Sequence, residues 1–496
     1  MSAMVSSTEK RIVSSCLLSP TAYNIPLFVR FAEGLNIPRM YNLLTRYMED
    51  FELFRTSYEI HSEIHKRTRN EPPTIEVRTF EHLDKDRLIG EQLITIKDRA
   101  LVRFLICRVL DEPGDYLFIN AHHVLLDGFS MNLFLQELTQ AYLSGEPAVS
   151  QLYPLLPEEA PQGSMQAEGG GGRTLSFGKY APFKSKLLGR QSSEIHYLNE
   201  CFSLDGSPAK RHSDFAVALT AFSLSLAHFL HSGSVYLAYP YLGRDPRNYK
   251  ALGNFVQLIP FGIELEEELG TETDQLIAGI QSRIFASFAG RDYYDELIRT
   301  EGMSSMNIFR DIIFDYKSGS LIAKTLNEAH GIQLEEAHGY RDEKYGLHFS
   351  VYKTGNDWEI SIISSEYGLT DLQALLTLFH SILQKLYANA GGGLRVGDLV
   401  SLTAKEEKHG GEAAPETPGG KIYDEVAGIV SALLGEAGVQ ANVSFFDLGM
   451  DSLLLVKFKK RIRESFNINL KISDFFNYHT AELLAGKIMD HLKEAN

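Results

Sequence analysis

Two adjacent histidines, followed by an aspartate and a glycine, carry the strongest chemical signal in the chain. They are His122, His123, Asp127 and Gly128 in the stretch INAHHVLLDG. An imidazole can take or give a proton near neutral pH. The aspartate can pair with an arginine or cap a following helix, and the glycine lets the backbone turn or approach a substrate closely. Taken alone, this spacing fits either a proton-handling site or a buried, hydrogen-bonded histidine pair.

A serine near the other end of the sequence is the second candidate. Asp451 and Ser452 lie in FFDLGMDSLLLVKFKKRI, and a helix should begin near Ser452 because the apolar residues that follow recur at helical spacing: Leu454, Leu455, Phe458 and Ile462. A serine at this position can simply cap the helix. The N-terminus of a helix also favours an anion.

The elements around the histidines predict where they lie. DYLFIN is apolar and β-rich, and FSMNLFLQELTQAYL has helical spacing, so the histidines should end a strand just before a helix. Strand and helix patterns alternate from about residue 10 to 400, which is typical of an α/β fold. Among the later segments we predict helices over SSEIHYLNECF (192–202) and DFAVALTAFSLSLAHFL (214–230).

Two segments predict domain boundaries. Residues 144–174 combine prolines, glycines and acidic residues, which fits a hinge between two lobes or a plain surface loop. Residues 403–420 are polar and rich in glycine and proline, so they should form a flexible linker. We therefore expect four parts: an N-terminal lobe (1–174), a C-terminal lobe (175–402), the linker (403–420) and a small helical domain (421–496).

Composition excludes several classes of function. The 496 residues carry a formal net charge of −16, which argues against nucleic acid as a partner. No apolar run approaches the roughly 18–20 residues of a membrane span, and the N-terminus lacks a signal-peptide core, so a cytoplasmic protein without a membrane partner is expected. The three cysteines form no CxxC motif, and we expect neither a disulfide framework nor a metal site.

Both motifs resemble those of one family. HHxxxDG resembles the core motif of the condensation domains of nonribosomal peptide synthetases, and LGMDSL resembles the attachment motif of peptidyl carrier domains. Further stretches follow the family's order along the chain, although the first is degenerate: 6–26, 46–58, 176–183, 243–261, 291–298 and 307–316. The chain departs from the family pattern at Lys179, Phe183 and Gln257, which makes an unusual donor or acceptor more plausible.

The resemblance implies a fold and a role for each residue. The fold is α/β, with two chloramphenicol acetyltransferase-like lobes in a V-shaped pseudo-dimer, an active-site tunnel between them and a C-terminal helical-bundle carrier domain. His123 is the catalytic histidine, either accepting the proton of the acceptor amine or holding the nitrogen and the tetrahedral intermediate by hydrogen bonds. His122 has a packing role, Asp127 forms a salt bridge with Arg55, and Gly128 keeps the tunnel wall thin and contacts the intermediate or the arm.

At the carrier motif, the resemblance implies that Ser452, next to Asp451, accepts 4′-phosphopantetheine from a phosphopantetheinyl transferase. The implied reaction joins an acyl or aminoacyl donor on a partner carrier to an aminoacyl acceptor on Ser452, giving an amide. No adenylation domain fits between the two parts, so an adenylation enzyme should act in trans, and a downstream module or release enzyme should follow. Alternatively, the attached carrier delivers the donor to a free amine or alcohol, or the condensation domain is a non-catalytic docking platform.

Overall fold

The chain forms two compact units that are interleaved in sequence. The first unit comprises Met1–Gln166, Pro240–Leu258 and Lys317–Lys344, and the second comprises the remaining residues. The computed structural model describes these residues: 5–17, 20–60, 64–145, 153–154, 195–204, 212–244, 246, 248–287, 312–318, 325–335, 345–364, 366–388, 392–401, 420–434, 445, 450, 452–468, 470, 474–475, 478 and 480–494.

Helices and strands alternate along the described residues. The α-helices are α1 (Ser7–Cys16), α2 (Ile37–Asp50), α3 (Lys85–Glu91), α4 (Gly128–Ser144), α5 (Asp214–Leu230), α6 (Thr273–Ser287), α7 (Leu369–Ala388), α8 (Gly420–Leu434), α9 (Ser452–Phe466) and α10 (Ala481–Glu494). The strands are β1 (Asn24–Phe31), β2 (Thr56–Ile60), β3 (Ile64–Thr68), β4 (Ile75–Phe80), β5 (Val102–Val109), β6 (Asp115–His122), β7 (Tyr153–Pro154), β8 (His196–Ser203), β9 (Ser234–Tyr241), β10 (Ala251–Leu252), β11 (Gln257–Glu264), β12 (Ile312–Ser318), β13 (Thr325–Asn327), β14 (Ile332–Glu335), β15 (Leu347–Thr354) and β16 (Asp357–Ser364).

The first unit is built on a six-stranded sheet in the order β13-β14-β1-β6-β5-β4. Strand β6 pairs antiparallel with β1 and β5, and every residue of β6 is buried. Alternate β6 side chains enter two apolar clusters, with Leu117 and Ile119 in one and Tyr116 and Phe118 in the other. Because both faces are covered, the middle of the strand, YLFI (116–119), is apolar without alternation. The predicted strand is confirmed, and it delivers the two histidines to a fixed place.

The larger of these clusters fixes α4, the helix that follows the histidines. Phe134 on α4 packs against Phe54 and Phe104, with ring centroids 5.2 and 6.2 Å away. Burying one such side chain contributes about 1.5–3 kcal/mol. The end of β6 and the start of α4 are therefore held on one core.

The second unit contains another six-stranded sheet, in the order β11-β9-β12-β15-β16-β8. Helix α5 buries residues on every side, and it packs along α7. This helix matches the segment DFAVALTAFSLSLAHFL that the sequence predicts to be helical. Together the two sheets confirm the α/β class.

One predicted helix is wrong. Residues 192–202 include β8, an edge strand that pairs antiparallel with β16. Its exposure alternates along the strand, and Phe202 stacks on His380 of α7 with ring centroids 4.0 Å apart. The alternation of period two, read as helical in the sequence, is the pattern of a half-covered strand.

The C-terminal helices α8, α9 and α10 confirm the small helical domain. Leu455, Phe458 and Ile462 on α9 are buried at helical spacing, as predicted. Phe458 packs edge-on against Phe445 and Phe475, with centroids 5.1 and 5.2 Å away. Across the described residues of the whole chain, no helix is both long enough and apolar enough to span a membrane.

Candidate functional site

His122 is the last residue of β6, and its side chain is fully buried. The backbone N–H of Val124 donates to its Nδ1 over 3.2 Å, and its Nε2 lies 3.4 Å from Cys16 Sγ. Because Nδ1 accepts a hydrogen bond, the ring proton of neutral His122 lies on Nε2 and faces the sulfur. A ring enclosed in this way supports the packing role expected for His122.

His123 follows immediately and is only partly buried. Its backbone N–H donates to the carbonyl oxygen of Tyr23 over 2.6 Å, and the Tyr23 ring lies edge-on to the imidazole at 6.3 Å. Tyr23 has φ = 67°, in the left-handed region that costs a non-glycine residue about 1–3 kcal/mol. The buried Tyr23 ring holds this conformation, so the backbone of His123 is anchored from the side of β1.

Asn254 reaches His123 from a distant part of the sequence. Its side-chain Nδ2 donates to the carbonyl oxygen of His123 over 2.7 Å and lies 3.4 Å from His123 Nδ1. Asn254 belongs to the segment 240–258, which is part of the first unit. The backbone N–H of His123 is therefore held by Tyr23, and its carbonyl oxygen by Asn254.

Asp127 caps α4 and pairs with an arginine, but this arginine is Arg244 and not Arg55. Its Oδ1 accepts from the N–H of Ser130 at 2.7 Å and from Arg244 Nη2 at 3.1 Å. The side chains of Asp127 and Arg244 are 0% and 3% exposed. Arg55 instead donates to the carbonyl oxygens of Arg69 and Glu49. The predicted Arg55–Asp127 salt bridge is wrong because Arg55 is engaged elsewhere.

The segment around Arg244 is fastened to the start of α4. Arg244 Nη1 donates to the carbonyl oxygens of Asn248 and Ala251, at 3.0 and 2.9 Å. Its guanidinium lies 4.6 Å from the ring centroid of Phe129 and 4.3 Å from that of Phe255. Such cation–π contacts stabilise a desolvated guanidinium further. The sequence already indicated the segment 243–261, yet it gave no reason to single out Arg244.

Two further hydrogen bonds join the 240–258 segment to the start of α4. The Ser130 hydroxyl donates to the carbonyl oxygen of Gly253 over 2.6 Å, and the N–H of Phe255 donates to Asp127 Oδ2 over 3.0 Å. The structure thus brings Asp127, Ser130 and the 240–258 segment together beside His123. Sequence reasoning missed Tyr23, Ser130, Arg244 and Asn254, since none of them stands in a catalytic spacing.

Gly128 is the first residue of α4. A Cβ placed on it meets no atom of the described residues within 4 Å. As far as the described residues go, the space beside this glycine is open, which suits the close approach of another group.

Ser452 is the first residue of α9, a helix of 15 residues. Its side chain and the whole of Asp451 lie outside the described residues. A phosphodiester fits this position, because the unpaired N–H groups at a helix N-terminus favour an anion. The helix start therefore agrees with the expected attachment point.

The three cysteines differ in their exposure. Cys16 and Cys107 are buried, and Cys201 is exposed on β8 of the second unit. Burial raises the pKa of the Cys107 thiol to about 12, so this group stays protonated at neutral pH. Within the described part of the chain, no group of three or more His, Cys, Asp or Glu side chains could hold a metal ion.

The predicted family stretches at 176–183 and 291–298, with Lys179 and Phe183, lie outside the described residues. The linker at 403–420 does so as well, apart from Gly420 at the start of α8. The predicted boundary between the lobes, at residues 174 and 175, also falls there. These expectations stay predictions.

Comparison with known proteins agrees with both motifs. Residues 5–154 match the condensation domain family, and residues 424–488 match the phosphopantetheine attachment site family. The chain is 24% identical over 417 residues to cyclosporin synthetase from Tolypocladium inflatum, covering 74% of this chain and 3% of that protein. It thus spans a very small part of this curated relative.

Solved structures show the same fold. The starter condensation domain of rhizomide synthetase aligns with a TM-score of 0.62 at 15% identity, covering 82% of this chain and all of that one. The epimerization domain from the third module of tyrocidine synthetase B aligns with a TM-score of 0.57 at 14% identity, covering 78% of this chain and 98% of that one. At such identities the likeness establishes the fold alone.

Members of the second matched family carry covalent phosphopantetheine on a serine, and Ser452 lies within the residues that match this family. The chain therefore carries a condensation domain followed by a carrier domain, both of the kind found in nonribosomal peptide synthetases.

Proposed function

We propose that the condensation domain joins an acyl or aminoacyl donor, borne as a thioester on a partner carrier protein, to an aminoacyl acceptor borne on Ser452. The observation that carries the proposal is the fixing of His123 on both sides of its backbone at the end of a fully buried strand. A reacting group needs this kind of preorganisation, because small displacements lose much of the rate.

The reaction balances without an outside oxidant or cofactor turnover. The acceptor nitrogen attacks the donor carbonyl carbon, the C–N bond forms and the C–S bond breaks. One proton leaves the nitrogen and ends on the departing thiolate, so the products are an amide and a thiol. When bound to Ser452, the phosphopantetheine arm supplies a reactive thioester and a long tether for the acceptor.

The chain's own residues do the positioning. His123 contacts the reacting atoms, while Asp127, capping α4 and paired with Arg244, holds the turn between His123 and that helix. Gly128 leaves open space beside this turn. His122 supports the strand end from the core.

The reaction consumes groups that further domains or proteins supply. The donor requires a partner carrier, the arm requires a phosphopantetheinyl transferase, and the acceptor requires an adenylation enzyme that can load Ser452. The amide on Ser452 then passes to a further module or a release enzyme. Nonribosomal peptide synthetase domains work with partners of these classes, which supports the assignment.

Replacing His123 by alanine tests whether this domain catalyses the reaction. A phosphopantetheinyl transferase would load the apo-protein with single aminoacyl-phosphopantetheine groups from aminoacyl-coenzyme A, and the loaded protein would be mixed with N-acyl-aminoacyl N-acetylcysteamine thioesters as donors. We expect His123→Ala to lower the rate of amide formation by about 100-fold or more, the usual loss when a group positioned at the reacting atoms is removed. His82→Ala is the matched control, because His82 is exposed and lies in the same unit. An unchanged rate in His123→Ala would support the docking-platform alternative.

A further inference from the structure

The side-chain amide of Asn254 has one consistent orientation. The N–H of Val256 donates to its Oδ1 over 3.2 Å, and its Nδ2 donates to the carbonyl oxygen of His123 over 2.7 Å. Turning the amide by 180° would set its oxygen against a carbonyl oxygen and its NH₂ group against an N–H. Both contacts would become repulsive, so the atom that lies 3.4 Å from His123 Nδ1 is the donor nitrogen.

This orientation has a consequence for the imidazole. An amide nitrogen only donates hydrogen bonds, and Asn254 Nδ2 has a second hydrogen besides the one directed to the carbonyl oxygen. Facing such a donor, Nδ1 of neutral His123 is favoured as the acceptor. A neutral imidazole has one N–H and one lone pair, so its proton then lies on Nε2.

We propose that Asn254 is a positioning residue that holds His123 in the Nε2–H tautomer, and that His123 acts in condensation as a hydrogen-bond donor and not as a base. The inference rests on the proposed function, because it assigns the role of His123 within that reaction. A neutral Nε2–H cannot take the proton of the acceptor amine. It can donate to the negative oxygen that develops on the donor carbonyl.

The proton balance of the reaction agrees with this role. The nitrogen loses one proton as the C–N bond forms, and the departing thiolate gains one as the C–S bond breaks. No net proton remains for the protein to absorb. A group that only donates a hydrogen bond to the developing oxygen charge is compatible with this balance, and such donors contribute strongly to catalysis.

The tautomer can be measured without any substrate. In the full chain labelled with ¹⁵N-histidine, the signals of His123 are those lost in His123→Ala. At a pH where His123 is neutral, we expect its ring proton to be coupled to Nε2. In Asn254→Asp a carboxylate oxygen replaces the donor nitrogen, and the proton should move to Nδ1. A wild-type ring with its proton on Nδ1 would overturn the proposal, even if condensation itself is confirmed.

The pH dependence of the condensation rate gives a second test. A merely structural role for Asn254 would not change this pH dependence. In Asn254→Asp, the imidazolium still donates from Nε2 at low pH, but the neutral ring does not. The ratio of variant to wild-type condensation rates should therefore fall at least ten-fold as pH rises through the titration of His123. Ionisation of the acceptor amine cancels in this ratio. A ratio that stays flat or rises with pH would contradict the proposal. The proposed function would still stand in that case, because it depends only on condensation by the wild-type chain.

Discussion

Among single residues, Asp127 has a carboxylate near His123 that accepts several hydrogen bonds. The carboxylate accepts hydrogen bonds from Ser130, Arg244 and Phe255, and the backbone N–H of Asp127 donates to the carbonyl oxygen of Gly253. Three of these partners lie more than 100 residues along the chain. One buried charge therefore ties the turn after the histidines to the 240–258 segment.

We predict that Asp127→Ala and Arg244→Ala each destabilise the first unit. Removing one partner of a buried ion pair costs about 3–5 kcal/mol, because the other charge stays buried and unpaired. The double variant should lose clearly less than the sum of the two, since both members of the pair are then gone. Calorimetric melting of the four proteins measures this non-additivity.

Arg55→Ala is the matched control for this pair. It should lower the melting temperature independently of Asp127, because Arg55 bonds to the carbonyl oxygens of Arg69 and Glu49. Strong coupling of Asp127 to Arg55, with none to Arg244, would contradict the geometry. The sequence offered both arginines within matching stretches, and only the tertiary contacts of the buried carboxylate distinguish them.

At the scale of elements, Glu9 joins α1 to the hairpin formed by β2 and β3. Its Oε1 accepts from Tyr58 Oη at 2.5 Å and from Lys66 Nζ at 2.7 Å, and its Oε2 accepts from the N–H of Ser6 at 2.8 Å. Burial alone would raise the pKa of Glu9. The charge of Lys66 and these hydrogen bonds outweigh it and hold the pKa below the ordinary value of 4.5.

This shift predicts a pH dependence of stability. A carboxyl group with a lowered pKa in the folded state stabilises the fold above its unfolded pKa, and that contribution is lost as pH falls through the folded pKa. Glu9→Gln should therefore lower the melting temperature at neutral pH, and the difference from wild type should shrink below about pH 4.5.

Glu59→Gln serves as the control, because Glu59 is an exposed residue of the same hairpin paired with Arg67. Exposed pairs of this kind contribute about 0–1 kcal/mol, so its melting temperature should follow the wild type at every pH. If Glu9→Gln melts at the wild-type temperature at neutral pH, the carboxylate does not connect α1 to the hairpin.

Elements with long apolar runs were predictable, and those defined by their neighbours were not. The continuous apolar run of β6 and the apolar helix α5 could be read directly from residues 115–122 and 214–230. Strand β8 could not be predicted, because the eleven residues 192–202 contain charged and polar residues at spacings that fit both a helix and a strand. The pairing with β16 and the stacking of Phe202 on His380 make this segment a strand.

At the scale of the whole molecule, the sequence indicated the order of the domains but not how segments are exchanged between the units. Segments 240–258 and 317–344 belong to the first unit although the chain reaches them after entering the second. Strand β14 pairs with β1 across about 300 residues, and no local pattern signals such pairing. The first of these segments contains Asn254, which contacts His123, and Arg244, which contacts Asp127. Their roles could not be predicted because these contacts are distant in sequence.

Intact-protein mass spectrometry can show whether the amide forms on Ser452 under the action of His123. The holo-protein loaded with one aminoacyl group would be mixed with an N-acyl-aminoacyl thioester donor and sampled over time. We predict that the mass of the joined product appears on the wild-type chain, is strongly delayed in His123→Ala and never appears in Ser452→Ala. Product found only free in solution, with no joined mass on Ser452, would contradict the account.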